Sequence, residues 1–251
     1  MRLFLLPEGT DSSRNVKITG QDYHYLFHIL RLKKGDELRG TDGKGTAWRL
    51  EVLQIHKDSL LLRADHPQTI AGGAYRISLL QCLPRGRKMD GIIRQATEAG
   101  VCRIIPIISA NSVFRIEAAE EGRKKVKRWQ RIAREAMQQS GAARLPVIEQ
   151  PALLPEITAR MEKEELKVFF HQSPIAAFTL HNLLARGPGT ISLCVGPEGG
   201  FTADEVELLK ERKFYPVYMG DTVLRTETAG IFAVAAVQII LQESEAWKVT
   251  G

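Results

Sequence analysis

Beyond residue 75 the chain alternates between two hydrophobic periods. Apolar, β-rich runs occur at residues 75–83 (YRISLLQCL), 102–109 (CRIIPIIS), 167–172 (KVFFHQ), 190–196 (TISLCVG) and 214–220 (FYPVYMG). Each is followed by a segment of helical pattern, at 88–99, 122–140, 178–185, 202–212 and 227–242. Strands covered on both faces read as continuous apolar runs, so this alternation predicts an α/β domain with a parallel sheet and helices on both faces. Residues 1–70 are patterned differently. Short β runs (RLFLLPE, NVKITG, DELRGTDGKGTAWRLEVLQIH, SLLLRAD) are interrupted by one short helical stretch, QDYHYLFHILR. Asp42-Gly43 between two such runs predicts a hairpin turn. The expected organisation is a small β-barrel over residues 1–70, a linker within 66–74 (HPQTIAGGA), and the α/β domain over 75–251.

Composition narrows the class. The 251 residues, 44% hydrophobic and 25% charged, suit one large or two modest folded domains and exclude disordered and fibrous classes. Cys82, Cys102 and Cys194 are odd in number, far apart and without CxxC spacing. They predict neither a disulfide framework nor a structural zinc site, and they suit a reducing cytoplasm. The opening MRLFLLPEGT is too short for a signal peptide. The longest apolar run, residues 229–241 (AGIFAVAAVQIIL), falls short of the roughly 20 residues of a membrane span and predicts a buried helix. His24 and His28 have the i, i+4 spacing of a metal pair, but the glutamate of HExxH and a third ligand are missing, so no metal is expected.

The net charge of +6 is concentrated in one place. Between Glu121 and Arg144 stand Arg123, Lys124, Lys125, Lys127, Arg128, Arg131, Arg134 and Arg144 against Glu121 and Glu135. A solvated helix face accounts for some basic helices. A local patch in an otherwise neutral chain points to a polyanion, nucleic acid first. Trp129 within it either packs inward or offers a stacking face.

Two loops carry the candidate chemistry. CVGPEGGFTADEVELLK, residues 194–210, joins a strand to a helix through a glycine-rich turn. It has neither the lysine nor the length of a Walker loop, and no GxGxxG. Glu198 would repel a phosphate, and Thr202 with Glu205 forms a capping box that occupies the helix's first donors. The turn is therefore either a plain connection or a place where backbone approaches an uncharged or cationic ligand. The second loop, MGDTVLRTETAG at residues 219–230, leaves the sheet at the same carboxyl edge, where open α/β sheets bind ligands. Its Arg225 and Glu227 read equally as a structural ion pair at a helix start.

VGPEGGFTADEVELLK followed by MGDTVLRTETAGIFAVAAVQ resembles the RsmE family of ribosomal RNA methyltransferases, in the SPOUT superfamily. KMDGIIRQATEAGVCRIIPIISANS, RWQRIAREAMQQSGAARLPVI and YLFHILRLKKGDELRGTDGKG extend the resemblance over nearly the whole chain. It implies a PUA-like RNA-binding barrel, a SPOUT domain with a C-terminal trefoil knot, a cytoplasmic homodimer whose last helix joins the interface, and no metal. The implied reaction is methylation by S-adenosylmethionine of N3 of a uridine in small-subunit (16S) ribosomal RNA. The rRNA acts free or as part of the assembled subunit. Other SPOUT enzymes acting on tRNA or on a ribose 2′-hydroxyl, and a non-catalytic RNA-binding assembly factor, are the alternatives. Carried onto this chain, the cofactor residues are His171, Gly196, Pro197, Glu198, Gly199, Gly200, Met219, Gly220, Val223, Leu224, Arg225, Thr226, Glu227 and Thr228. Arg225 is expected to stabilise a developing uracil oxyanion, and Glu227 to orient Arg225 or accept the proton. Arg31, Arg123, Lys124, Lys127, Arg128, Arg131 and Arg144 are the expected RNA contacts, with Gln138, Gln139 and Ser140 near RNA or a partner subunit's cofactor.

Overall fold

The computed structural model describes residues 3–7, 10, 15–69, 75–112, 119–142, 144–175 and 178–246. The chain divides into two compact units, Met1–Gly72 with Met137–Leu145, and Gly73–Ala136 with Pro146–Gly251.

In the first unit β1 (Phe4–Leu5), β2 (Asn15–Thr19), α1 (Gly20–His24), β3 (Glu37–Thr41), β4 (Thr46–His56) and β5 (Ser59–Thr69) form a five-stranded sheet of order β1-β3-β4-β5-β2 with one helix. Alternation puts Val16, Ile18, Leu50, Val52, Leu60 and Leu62 into one core with Phe4, Leu26 and Trp48. Among the described residues β1 and β2 are not paired with each other, so the expected barrel is open at that seam. The Asp42-Gly43 turn forms as expected. Asp42 Oδ1 accepts the N–H groups of Lys44 (2.8 Å) and Thr46 (3.0 Å), and Gly43 sits at φ +70°. The helical stretch widens after α1 into a π turn, Tyr25–Ile29, and stops at Arg31, φ +55°. The linker starts later than its composition suggests. β5 runs through His66 and Pro67 to Thr69, because the early residues of the long β4 need a partner, and a register shift accommodates the proline. Residues 70–74 of the expected linker lie outside the described residues.

The second unit is built on a seven-stranded sheet whose observed pairings are all parallel, as the alternation predicts. Its elements are β6 (Arg76–Cys82), α2 (Lys88–Glu98), β7 (Arg103–Ile108), α3 (Ala119–Ser140), β8 (Val147–Ile148), β9 (Ala152–Leu153), α4 (Leu154–Arg160), β10 (Leu166–His171), α5 (Leu180–Leu184), β11 (Thr190–Val195), α6 (Ala203–Glu211), β12 (Tyr215–Tyr218) and α7 (Thr226–Ala246). The last four residues of α3 group with the first unit. The strand order is β12-β10-β11-β6-β7-β8, with β9 also on β7. Alternate residues of β6, β7, β10 and β11 meet α4 and α6 in one core, which includes Leu80, Ile105, Phe169, Cys194, Ile157 and Leu209. α7 packs on β6, β11 and α2. β8, β9 and α4 are absent from the sequence reading. The two strands are only two residues long, below any periodicity, but α4 carries a recognisable signal: Pro155 in its first turn and Leu154, Ile157, Thr158 and Met161 on one face.

Candidate active site

Because β10, β11 and β12 are parallel, the loops that follow them leave from one edge. A cavity of about 260 Å³ opens among these loops. One wall is the turn after β11. Gly200 donates its N–H to the carbonyl of Pro197 (2.9 Å), closing a four-residue turn, and takes φ +69°, a left-handed conformation that favours glycine. A Cβ at Gly196 would stand 3.2 Å from the Phe201 ring, and one at Gly199 would stand 3.2 Å from Cβ of Asn111. Asn111 Nδ2 holds the turn from behind, donating to the carbonyls of Gly199 (3.3 Å) and Gly200 (3.1 Å). The predicted capping box is present: Glu205 N–H reaches Thr202 Oγ1 (3.3 Å), and Thr202 N–H reaches Glu205 Oε2 (3.0 Å).

Glu198 Oε1 accepts from the backbone N–H of Arg85 (3.1 Å) and from Lys88 Nζ (3.2 Å). Burial alone would push its carboxyl up. Backbone donors and Lys88 outweigh burial and hold it below the usual carboxylate range. The wall thus carries a carboxylate, and the helix behind it has already committed donors. A phosphate is poorly served here, and a cationic or neutral ligand fits.

The opposite wall is the loop after β12. Thr226, buried at the start of α7, donates through Oγ1 to the carbonyl of Gly196 (2.6 Å) and accepts from Gln81 Nε2 (2.9 Å). Gly230 lets α7 approach β6, since a Cβ there would come within 2.7 Å of Gln81 Oε1. His171, at the end of β10, lines the cavity and accepts the Ser173 N–H at Nδ1 (3.1 Å).

The cavity brings together His171, Gly196, Pro197, Glu198, Gly200, Met219, Gly220, Val223, Leu224, Arg225 and Thr226 from the expected set. Phe170, Gln172, Val195, Phe201, Thr222 and Ala229 also line it and were not anticipated. Gly199, Glu227 and Thr228 are not in the lining. The expected Arg225–Glu227 pair is also corrected. Glu227 Oε2 lies 3.2 Å from Lys88 Nζ, an ion-pair distance without good hydrogen-bond geometry. Residues i and i+2 at a helix start point apart, which separates Glu227 from Arg225. The exposed Arg225 side chain has no hydrogen-bond or ion-pair partner among the described residues. Cys82 and Cys194 are buried in the sheet core, and burial pushes the Cys82 thiol up to about 12, so neither suits nucleophilic work.

The expected RNA contacts fall into three groups. Arg123, Lys127 and Arg131 on α3 are exposed with no partner among the described residues. Lys124 pairs with Glu120 (2.9 Å) and Arg128 with Asp90. Trp129 is 4% exposed and packs inward. In the first unit Arg31 is exposed, whereas Arg144 is half-buried, with Nε enclosed and unpartnered near Gly45.

Residues 73–238 match the family model of an RNA methyltransferase domain, and residues 18–65 match that of an RNA methyltransferase PUA domain. Two curated relatives are both called ribosomal RNA small subunit methyltransferase E. The protein from Synechocystis is 30% identical over 96% of this chain and 78% of its own length, and that from Aquifex aeolicus is 38% identical over 83% and 88%. The chain belongs to the ribosomal RNA small subunit methyltransferase E family. The crystal structure of the Neisseria gonorrhoeae member bound to S-adenosyl methionine superposes with a TM-score of 0.85 at 29% identity, covering 96% of this chain and 98% of that one.

Proposed function

We propose that this chain methylates N3 of a uridine in small-subunit ribosomal RNA, with S-adenosylmethionine as donor. The observation that carries the reading is the cavity itself. It combines close-approach glycine backbone, a carboxylate wall unsuited to phosphate, and one unpartnered guanidinium, in a chain whose relatives are named for this class of reaction. Gly196, Gly200, Met219, Gly220 and Leu224 would hold the cofactor largely through backbone and apolar contact. When bound, S-adenosylmethionine supplies a methyl group on a positively charged sulfur.

Uracil N3 carries a proton and lies on the Watson–Crick edge, so the base must be unpaired or flipped out to be reached. As the N3 proton passes to solvent water, negative charge grows on the neighbouring carbonyl oxygens. Arg225 stabilises it with a guanidinium that no other side chain among the described residues engages. Glu227, turned toward Lys88, acts on the wall rather than on the base. Arg123, Lys127 and Arg131 offer free positive charge to phosphates.

The reading includes three further features. The C-terminal segment forms a trefoil knot, supported by the path of α7, which returns from edge strand β12 to pack on the central β6 and β11. The protein works as a homodimer through α7, whose Phe232 and Ile239 are 52% and 55% exposed. It acts in the cytoplasm; among the described residues no helix is long and apolar enough to cross a membrane.

The test is incubation with labelled S-adenosylmethionine and either naked rRNA or assembled small subunits, followed by mapping of the modified base. Label at uridine N3 supports the reading. Label only in tRNA, only on ribose, or nowhere overturns it.

A further inference from the structure

The two walls of the cavity come from segments about thirty residues apart in sequence, and they are tied together twice. The inner tie is neutral and buried, from Thr226 Oγ1 to the Gly196 carbonyl with Gln81 behind it. The outer tie is ionic and is made by a residue of neither wall. Lys88, the first residue of α2, has its Nζ 3.2 Å from Glu198 Oε1 on one wall and 3.2 Å from Glu227 Oε2 at the root of the other. Both carboxylates are therefore within two contact lengths of each other around one ammonium. Without it, like charges would face each other across the rear of the cavity. The Lys88 pKa is raised by Glu198 first and by Glu227 second, so the ammonium stays charged beside both. Arg85 fixes the Glu198 carboxylate from the same loop through its backbone N–H (3.1 Å).

We infer that Lys88 is a positioning residue that holds the two walls at cofactor-binding separation by bridging Glu198 and Glu227. This rests on the cavity being the S-adenosylmethionine site, as proposed above. The lysine lies outside the cavity lining, and its side chain is only about one-third exposed. Its work is to cancel a repulsion that would spread the loops. A plain surface ion pair would contribute little. The inner tie survives its removal, so the fold should survive as well.

The experiment is calorimetric titration of S-adenosylmethionine into the full chain without RNA, with thermal melting as a control. Lys88→Met should melt within a few degrees of the native chain yet bind the cofactor about tenfold more weakly. Adding Glu227→Gln to that variant removes one of the two facing charges at a residue outside the cavity lining. It should restore affinity to within about threefold of native. Lys88→Arg, which keeps the charge balance, should also remain within about threefold. Native affinity in Lys88→Met overturns the inference. So does a loss in a normally melting Lys88→Met chain that Glu227→Gln fails to recover. If the methionine variant does not fold, the arginine variant carries the test, and a loss beyond threefold there overturns it. Failure of the native chain to bind S-adenosylmethionine would instead overturn the proposed function.

Discussion

Arg225 stands apart from the other charged residues around the cavity. Glu198 and Glu227 share Lys88, while the Arg225 guanidinium engages no described side chain. An unpaired cation in a lined cavity is free to meet charge that appears only during reaction. Arg225→Ala should therefore leave the S-adenosylmethionine dissociation constant within about threefold of native and lower turnover on rRNA by about 10²–10³, the cost of losing one oxyanion donor. Calorimetry alongside single-turnover methyl transfer separates the two effects; unchanged turnover would remove Arg225 from the chemistry. Glu198 and Arg225 were legible as members of two loops at one sheet edge, and their place in a cofactor pocket came from the family resemblance rather than from local geometry. Lys88 was not legible. Its meaning depends on two carboxylates more than a hundred residues away, and the stretch PRGRKMD shows neither. The pairing expected of Glu227 failed for the same reason, since proximity in the chain suggested Arg225 while the fold supplied Lys88.

Helix α6 shows how far local rules reach. Thr202 and Glu205 announce its start in the sequence, and the structure shows both reciprocal bonds. Glu205 carries an extra duty, since its Oε1 accepts the Ala110 N–H (2.7 Å) and anchors the chain just after β7. Thr202→Ala should lower stability by about 1 kcal/mol in urea unfolding, a typical capping loss. Glu205→Ala removes the box and the anchor together and should cost more than Thr202→Ala in the same measurement. The central strands were legible for an equally local reason: covered on both faces, they are runs dominated by apolar residues. The two-residue β8 and β9 were not, because their pairing with β7 is set by register on a neighbour rather than by any period of their own. The π turn after α1 is likewise invisible to a helical pattern, which leaves hydrogen-bond partners unspecified.

At the scale of the molecule, the net charge of +6 is the sum of unlike parts. On α3, Arg128 is neutralised by Asp90, while Arg131 is exposed and unpaired among the described residues. Each phosphate contact releases counterions, so Arg131→Ala should reduce the slope of log affinity for rRNA against log salt by about 0.7–1. Arg128→Ala should change it by clearly less, and filter binding across a salt series checks both. Equal effects would mean that the Asp90 pair opens on RNA. The sequence located this basic segment but could not sort its members, because which cations are spent internally is decided by tertiary neighbours.

The tie between Thr226 and Gly196 also has a consequence in time. One wall of the pocket is anchored to the first turn of α7, so a chain emerging from the ribosome owns every strand of its sheet before it owns a binding site. Activity then arrives in a single step, when α7 docks onto β6 and β11. Partly made copies would not sequester the methyl donor, even though the basic face of α3 is already built.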